Sequence, residues 1–105
     1  MQQIEGIKYD KDKPRVDLLP TDSLLAVAEV LEHGAAKYGD RNWELGMAHS
    51  RLYAATLRHL FAHNECEDYD EESGLPHLAH AACCVLMLLA LWMRKHGEDN
   101  RVLHT

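Results

Sequence analysis

Residues 65–80 read ECEDYDEESGLPHLAH, a run of acidic side chains that ends in two histidines three positions apart. Carboxylates this dense repel one another unless water or a cation neutralises them. Residues 78–93, LAHAACCVLMLLALWM, are then almost entirely apolar and rich in helix-forming residues. This change of polarity predicts a helix that begins near Ser73 or Leu75, with both histidines on one face of its first turns.

Two interpretations of the acidic run stay open. Acidic residues, a serine and a proline commonly precede a helix, because they complement its dipole and cap its first N–H groups, so the run can be a solvated cap. Alternatively, His77 and His80 beside several carboxylates form a donor set suited to a divalent metal ion. The pairing of the histidines favours the metal site.

Length and charge restrict the function. The 105 residues indicate a single domain, residues 1–105, and a net charge of -6 argues against binding of a nucleic-acid polymer. The apolar run is shorter than the ~20 residues of a membrane span, so no membrane is expected. The three cysteines lack a CxxC spacing and no signal peptide is recognisable. We therefore expect a cytoplasmic protein.

The chain before and after the acidic run predicts an all-α fold, a small bundle of about three to four helices with an extended basic arm at residues 1–20. Helix-capping residues at 21–23 begin the first helix, and the second runs from His49 or Ser50 to about Asn64. The last helix would end in a basic turn capped by Gly97. Its nearly all-round apolar surface predicts a homo-oligomer, a dimer or a tetramer.

Individual side chains complete these expectations. The second helix is expected to bury the stripe Tyr53, Leu57, Leu60 and Phe61. Isolated histidines are usually structural, and we interpret His33, His49, His96 and His104 in that way. The cations of the arm can either meet phosphates or only keep the arm soluble.

Residues 37–46, KYGDRNWELG, have side chains that suit a nucleotide. Tyr38 and Trp43 offer flat faces for a base, Asn42 has a donor and an acceptor for a base edge, and Lys37 can meet a phosphate. The alternative is a surface loop pinned by two partly buried aromatic side chains.

Short motifs in a fixed order carry a family resemblance over roughly residues 8–91. They are KPR at 13–15, LP at 19–20, GAAKYG at 34–39, NW at 42–43, Gly46, RHL at 58–60, EDYD at 67–70, ESGL at 72–75 and HLAHA at 77–81. This set resembles the phage dATP/dGTP diphosphohydrolases, which look like a branch of the MazG-like all-α nucleoside triphosphate pyrophosphohydrolases. The resemblance implies an oligomeric enzyme that hydrolyses deoxypurine triphosphates to the monophosphate and pyrophosphate, in phage nucleotide-pool remodelling.

The resemblance also implies roles for residues. The catalytic set would be Glu67, Asp70 and Glu72, and the ligands of a divalent ion (Mg, Mn or Co) would be Glu67, Asp70, His77 and His80. The substrate set would be Lys13, Arg15, Lys37, Tyr38, Asn42, Trp43, Arg58 and His59. Glu72 would be a further ligand or a general base.

One motif departs from the wider superfamily. MazG-like enzymes carry an ExxE motif followed by an ExxD motif. Here the positions that would correspond to the Glu and Asp of ExxD, at the start of the last helix, are His77 and His80. Because imidazole favours manganese, cobalt or zinc over magnesium, either the preferred metal differs or the hydrolytic role is reduced. Two other classes therefore stay open, a non-catalytic module that sequesters a nucleotide and a helical protein that only binds a partner.

Overall fold

The computed structural model describes residues 5–103 and consists of three α-helices joined by loops. Helix α1 spans Thr21–Tyr38, α2 spans His49–Asn64 and α3 spans His77–Met93. One-turn 3-10 helices lie at Val16–Leu18 and Asn42–Leu45. The all-α prediction is confirmed; residues 1–4 of the predicted arm and His104 lie outside the described residues.

Helix α3 is the centre of the fold, because both α1 and α2 pack against it. Small buried side chains on α3, Ala79 and Cys83, meet Val27 and Val30 of α1. Short side chains at such a contact let two helix axes approach closely and exclude water from the apolar surface between them. This packing brings the start of α3 beside the C-terminal half of α1.

Helix α2 faces α3 with a stripe of residues that differs from the predicted one. His49, Leu52 and Thr56 are buried, whereas Tyr53 and Phe61 of the expected stripe are mostly exposed. The buried positions are spaced three and four apart, and the next position in the same series is His59. The prediction of a Tyr53–Phe61 stripe is wrong for the single chain, and the true stripe directs His59 towards α3.

Helix α3 begins later than predicted, at His77 instead of near Ser73 or Leu75. Pro76 disfavours helical backbone at Leu75, which precedes it. The turn before it has its own hydrogen bonds, from the Gly74 N–H to the Asp70 carbonyl and from the Asp70 N–H to the Leu75 carbonyl. Residues 70–75 therefore form a closed turn, and the helix begins only after the proline.

The end of α3 also differs from the prediction. The helix ends at Met93, so the basic residues lie beyond it, and Lys95 takes the left-handed conformation with φ 53°. Gly97, with φ 78°, lies next to the Met47 carbonyl, and a Cβ atom there would collide with that oxygen. Gly97 is therefore a packing glycine and not the helix C-cap.

A large apolar surface stays exposed on the single chain. On α3 it comprises Leu78, Val85, Leu86, Leu89, Trp92 and Met93. The radius of gyration, 18.3 Å, exceeds the ~13 Å typical of a compact chain of this length. Both features favour a partner surface, and the homo-oligomer stays a prediction. Among residues 5–103, no helix has the length and apolar character required to cross a membrane.

Candidate metal centre and adjoining cleft

Three side chains from separate parts of the chain converge where α2 meets the start of α3. They are His59 of α2, Asp70 of the preceding turn and His77, and their donor atoms all lie within 4.8 Å of one another. The Nδ1 atoms of His59 and His77 are 2.9 Å apart. Two imidazoles and one carboxylate are a donor set that suits a borderline divalent ion.

The turn at residues 70–75 holds Asp70 in place. The Ser73 N–H donates to Asp70 Oδ1 at 2.9 Å. Partial burial by itself raises the pKa of Asp70, but the bonds from Ser73 and the nearby His80 and His59 outweigh it, so this pKa lies below its ordinary value. Asp70 is therefore an ionised, oriented carboxylate at neutral pH.

His80 lies beside the three-residue cluster and not within it. Its ring stacks on His59 with centroids 4.6 Å apart, and its Nε2 lies 2.7 Å from the Ser73 hydroxyl. Burial lowers the pKa of His59 and also that of His80. Both imidazoles are therefore mostly neutral at pH 7 and can act as ligands or accept protons.

The metal-free protein is expected to lose stability as the pH falls from 7.5 to 5. Because the pKa values of His59 and His80 are lowered on folding, the unfolded chain takes up protons near pH 6.5 that the folded chain does not. The stability of the folded state is therefore unreduced above pH ~6.5, the histidine pKa in the unfolded chain. It falls as the pH decreases from there towards the lower pKa values of His59 and His80 in the folded chain. Thermal melting in chelator at both pH values measures this.

The matched control for the pH effect is His80→Gln, which removes one of the two titrating rings. Its melting temperature should depend less on pH than that of the wild type between pH 7.5 and 5. An unchanged slope in the variant, or a wild-type melting temperature that rises on acidification, would contradict the assignment.

An open cleft of about 1410 Å³ adjoins the cluster, between α1, residues 39–47, α2 and α3. It brings together most of the substrate and catalytic residues predicted from sequence. Those that line it are Lys37, Tyr38, Asn42, Trp43, Arg58, His59, Asp70, Glu72 and His80. Residues that are far apart in sequence, and that were singled out for base, phosphate and metal binding, thus share one solvent-open space.

Lys37 and Arg58, two cleft-lining cations that were predicted to bind phosphate, differ in their pairing. Lys37 Nζ lies 2.6 Å from Glu72 Oε1. This hydrogen bond raises the pKa of Lys37 and lowers that of Glu72. Arg58 lines the same cleft with its side chain exposed. An anionic ligand would therefore compete with Glu72 for Lys37 and meet Arg58 directly.

The aromatic side of the cleft is held by the segment that follows α3. The Arg94 guanidinium lies 5.5 Å from the centroid of the Trp43 ring and 3.7 Å from Glu44. Behind the loop, the His49 N–H donates to the Glu98 carbonyl at 2.8 Å, and the His49 ring contacts the His96 carbonyl at 2.8 Å. The chain after α3 therefore fixes residues 43–49, and the structural interpretation of His49 agrees with this contact.

Four predicted site residues do not line the cleft. Lys13 is exposed on the arm, and Arg15 forms a two-pronged ion pair with Asp17. Glu67 lies behind the cluster, with Oε1 3.5 Å from His77 Nε2, and His77 is buried. A phosphate-binding role of the arm stays a prediction, because in this chain the arm lies away from the cleft.

Sequence reasoning missed His33, which was interpreted as structural. The structure places His33 in the cleft, with its ring edge-on to His80 at 6.4 Å between centroids. The spacing in the sequence could have indicated this position, because His33 precedes Lys37 by four residues and therefore lies on the same face of the helix. Arg94 had no comparable signal, since its contact with Trp43 depends on the path of the chain after α3.

Comparison with known proteins gives one family. A family model described as dATP/dGTP diphosphohydrolase, N-terminal, matches residues 3–101. A curated dATP/dGTP diphosphohydrolase of Salmonella phage PMBT28 is 36% identical over 96 residues, which covers 91% of this chain and 33% of the relative. The chain thus spans about a third of the length of that relative. No solved structure matches the chain.

Proposed function

Because the chain belongs to the dATP/dGTP diphosphohydrolase N-terminal family, we propose that it hydrolyses a deoxypurine nucleoside triphosphate to the monophosphate and pyrophosphate. The observation that carries this proposal is the single cleft that brings together candidates for base binding, phosphate binding and metal binding, including Trp43, Arg58 and Asp70. The name of the Salmonella phage relative supports the substrate class. The activity would serve nucleotide-pool remodelling by a phage, as a homo-oligomer in the host cytoplasm.

The proposed metal ligands are His59, Asp70 and His77. The 2.9 Å between the two Nδ1 atoms and the ionised Asp70 carboxylate suit a divalent ion, with manganese or cobalt preferred to magnesium because of the imidazoles. Such an ion would neutralise phosphate charge and polarise the phosphorus. Glu72 and His80 line the same cleft and are further candidate ligands.

The cations of the cleft would bind the triphosphate. On a chain of net charge -6, a polyanion needs local positive charge, which Arg58 and Lys37 supply. Lys37 would exchange its Glu72 partner for a phosphate oxygen, a change between two solvent-exposed ion pairs that costs little.

The purine would lie on the aromatic side of the cleft. Trp43 is partly buried and held by Arg94, so its ring is already oriented before a base stacks on it. Tyr38 is mostly exposed and can close on the opposite face. Asn42, at the start of the 3-10 turn, would read the base edge with its amide donor and acceptor.

His80 is the proposed proton acceptor for the attacking water. Its lowered pKa keeps the ring neutral, and the Ser73 hydroxyl at 2.7 Å orients it. Glu72 was expected to be a further ligand or a general base, but its hydrogen bond with Lys37 lowers its pKa and weakens it as a base. We therefore assign the proton to an imidazole, and Glu72 to pairing with Lys37 until a phosphate oxygen takes its place.

Product analysis tests this proposal. The purified chain is incubated with each deoxynucleoside triphosphate and with magnesium, manganese, cobalt or a chelator. We expect a purine monophosphate and pyrophosphate, with manganese or cobalt above magnesium and no products in chelator. Thermal stabilisation by a nucleotide without turnover under any metal would contradict hydrolysis and favour the sequestering module. No stabilisation and no turnover would favour a helical partner-binding protein.

A further inference from the structure

The two nitrogens of the His77 ring have very different surroundings. His77 is buried, with 6% of its surface exposed. Its Nδ1 lies 2.9 Å from His59 Nδ1, within hydrogen-bonding distance. Its Nε2 is buried without a hydrogen-bond partner among the described residues, and Glu67 Oε1 lies 3.5 Å from it. A buried polar atom in this state is unfavourable and requires an explanation.

The position of the proton on His77 follows from these contacts. A neutral imidazole carries one proton, so one of the two Nδ1 atoms donates to the other. If His77 donated from Nδ1, its Nε2 lone pair would face the Glu67 carboxylate, which is repulsive. If His59 donates, His77 carries its proton on Nε2, pointing at Glu67, which is attractive. The second arrangement also leaves the Nδ1 lone pair of His77 directed at the cluster.

The main chain brings Glu67 to this position. The Glu67 N–H donates to the Ala62 carbonyl at 3.0 Å, and the His77 N–H donates to the Asp68 carbonyl at 2.9 Å. The backbone on both sides of the contact is therefore anchored. The Glu67 side chain is about half exposed, so its own torsions are free to close 3.5 Å to a hydrogen bond.

We propose that Glu67 is a positioning residue, which accepts the His77 Nε2 proton and so presents the His77 Nδ1 lone pair to the metal centre, instead of binding the ion itself. This inference rests on the proposed metal-dependent function. A histidine ligand usually donates its other N–H to a carboxylate or a carbonyl, which fixes its tautomer and orientation. The two carboxylates that were predicted as ligands would then have different roles. Asp70 would bind the metal ion, and Glu67 would hold the ligand His77 in position.

Manganese affinity separates the two roles of Glu67. By isothermal titration with Mn²⁺ alone, Glu67→Gln should bind within a few-fold of the wild type, because its amide oxygen still accepts the Nε2 proton. Glu67→Ala should bind about 10–100-fold more weakly, the usual effect of losing such a support. Asp70→Asn is the direct-ligand reference, and Glu65→Gln, a nearby exposed acid, is the matched control and should bind like the wild type. A loss in Glu67→Gln equal to that in Asp70→Asn, or no loss in Glu67→Ala, would overturn the inference.

The tautomer can be read without metal or nucleotide. Nitrogen-15 NMR of the metal-free wild type should show His77 protonated on Nε2 and unprotonated on Nδ1, with this preference reduced in Glu67→Ala and retained in Glu67→Gln. A wild-type His77 protonated on Nδ1 would overturn the inference. This measurement uses the metal-free chain, so its result does not depend on whether the chain hydrolyses a nucleotide. Failure of the proposed function and failure of the Glu67 role can therefore be distinguished.

Discussion

Asp70→Asn is expected to lower the rate of triphosphate hydrolysis by more than about 100-fold, because it removes the only carboxylate of the three-residue cluster. The fold should survive, since the asparagine oxygen still accepts the Ser73 N–H at the same position. Turnover of dATP and dGTP with manganese measures the effect, and the melting temperature checks the fold.

The matched control for Asp70 is Glu71→Gln, which removes the same charge from the adjacent exposed residue. It should keep nearly all of the activity, because Glu71 neither joins the cluster nor lines the cleft. Equal losses in both variants would show that only the overall negative charge matters. Full activity in Asp70→Asn would show that Asp70 is not a metal ligand in the reaction.

Gly97→Ala is expected to lower the free energy of unfolding by about 3 kcal/mol. The left-handed backbone at φ 78° costs roughly 1–2 kcal/mol for a residue with a Cβ atom. The new methyl group would also collide with the Met47 carbonyl, which must move and take the loop before α2 with it. Urea denaturation measures the loss.

Gly74→Ala is the control for Gly97, because it has a similar φ of 72° but no atom within 4 Å of the added Cβ. It should lose only the backbone contribution, about 1 kcal/mol. Equal destabilisation of both variants would show that the close approach of Met47 to Gly97 adds nothing to the loss of unfolding free energy in Gly97→Ala. Gly97→Ala should also weaken nucleotide binding, since the displaced loop carries Trp43.

The helices were predictable where the signal is local. Residues of capping type at 21–23 indicated where α1 begins, and periodicity indicated both ends of α2, although in the structure no side chain caps the start of either helix. The start of α3 was predicted too early. Residues 73–75 have side chains that a helix accepts, but Pro76 and the closed turn at residues 70–75 keep them out of the helix. The buried face of α2 was also misplaced, since Tyr53 and Phe61 are apolar but point away from α3. Periodicity detects an apolar stripe but not which partner covers it.

Most of the residues singled out from sequence line one cleft, whereas their arrangement within it was not predictable. Ordered motifs indicated Lys37, Trp43 and Asp70, which the fold brings to one cleft. The sequence could not show that His59 replaces His80 in the three-residue cluster, because this depends on how α2 is rotated against α3. It also could not show that Arg94 supports Trp43, since that contact joins segments that are distant in sequence.

The central claim is that a divalent ion and a nucleotide share one site between α2 and α3. The most direct test is anomalous diffraction from crystals grown with manganese and a non-hydrolysable dGTP analogue. We expect a manganese peak bounded by His59, Asp70 and His77, with the phosphates towards Lys37 and Arg58 in the cleft. A manganese peak on the exposed acidic side chains alone, or a nucleotide bound outside the cleft, would contradict it.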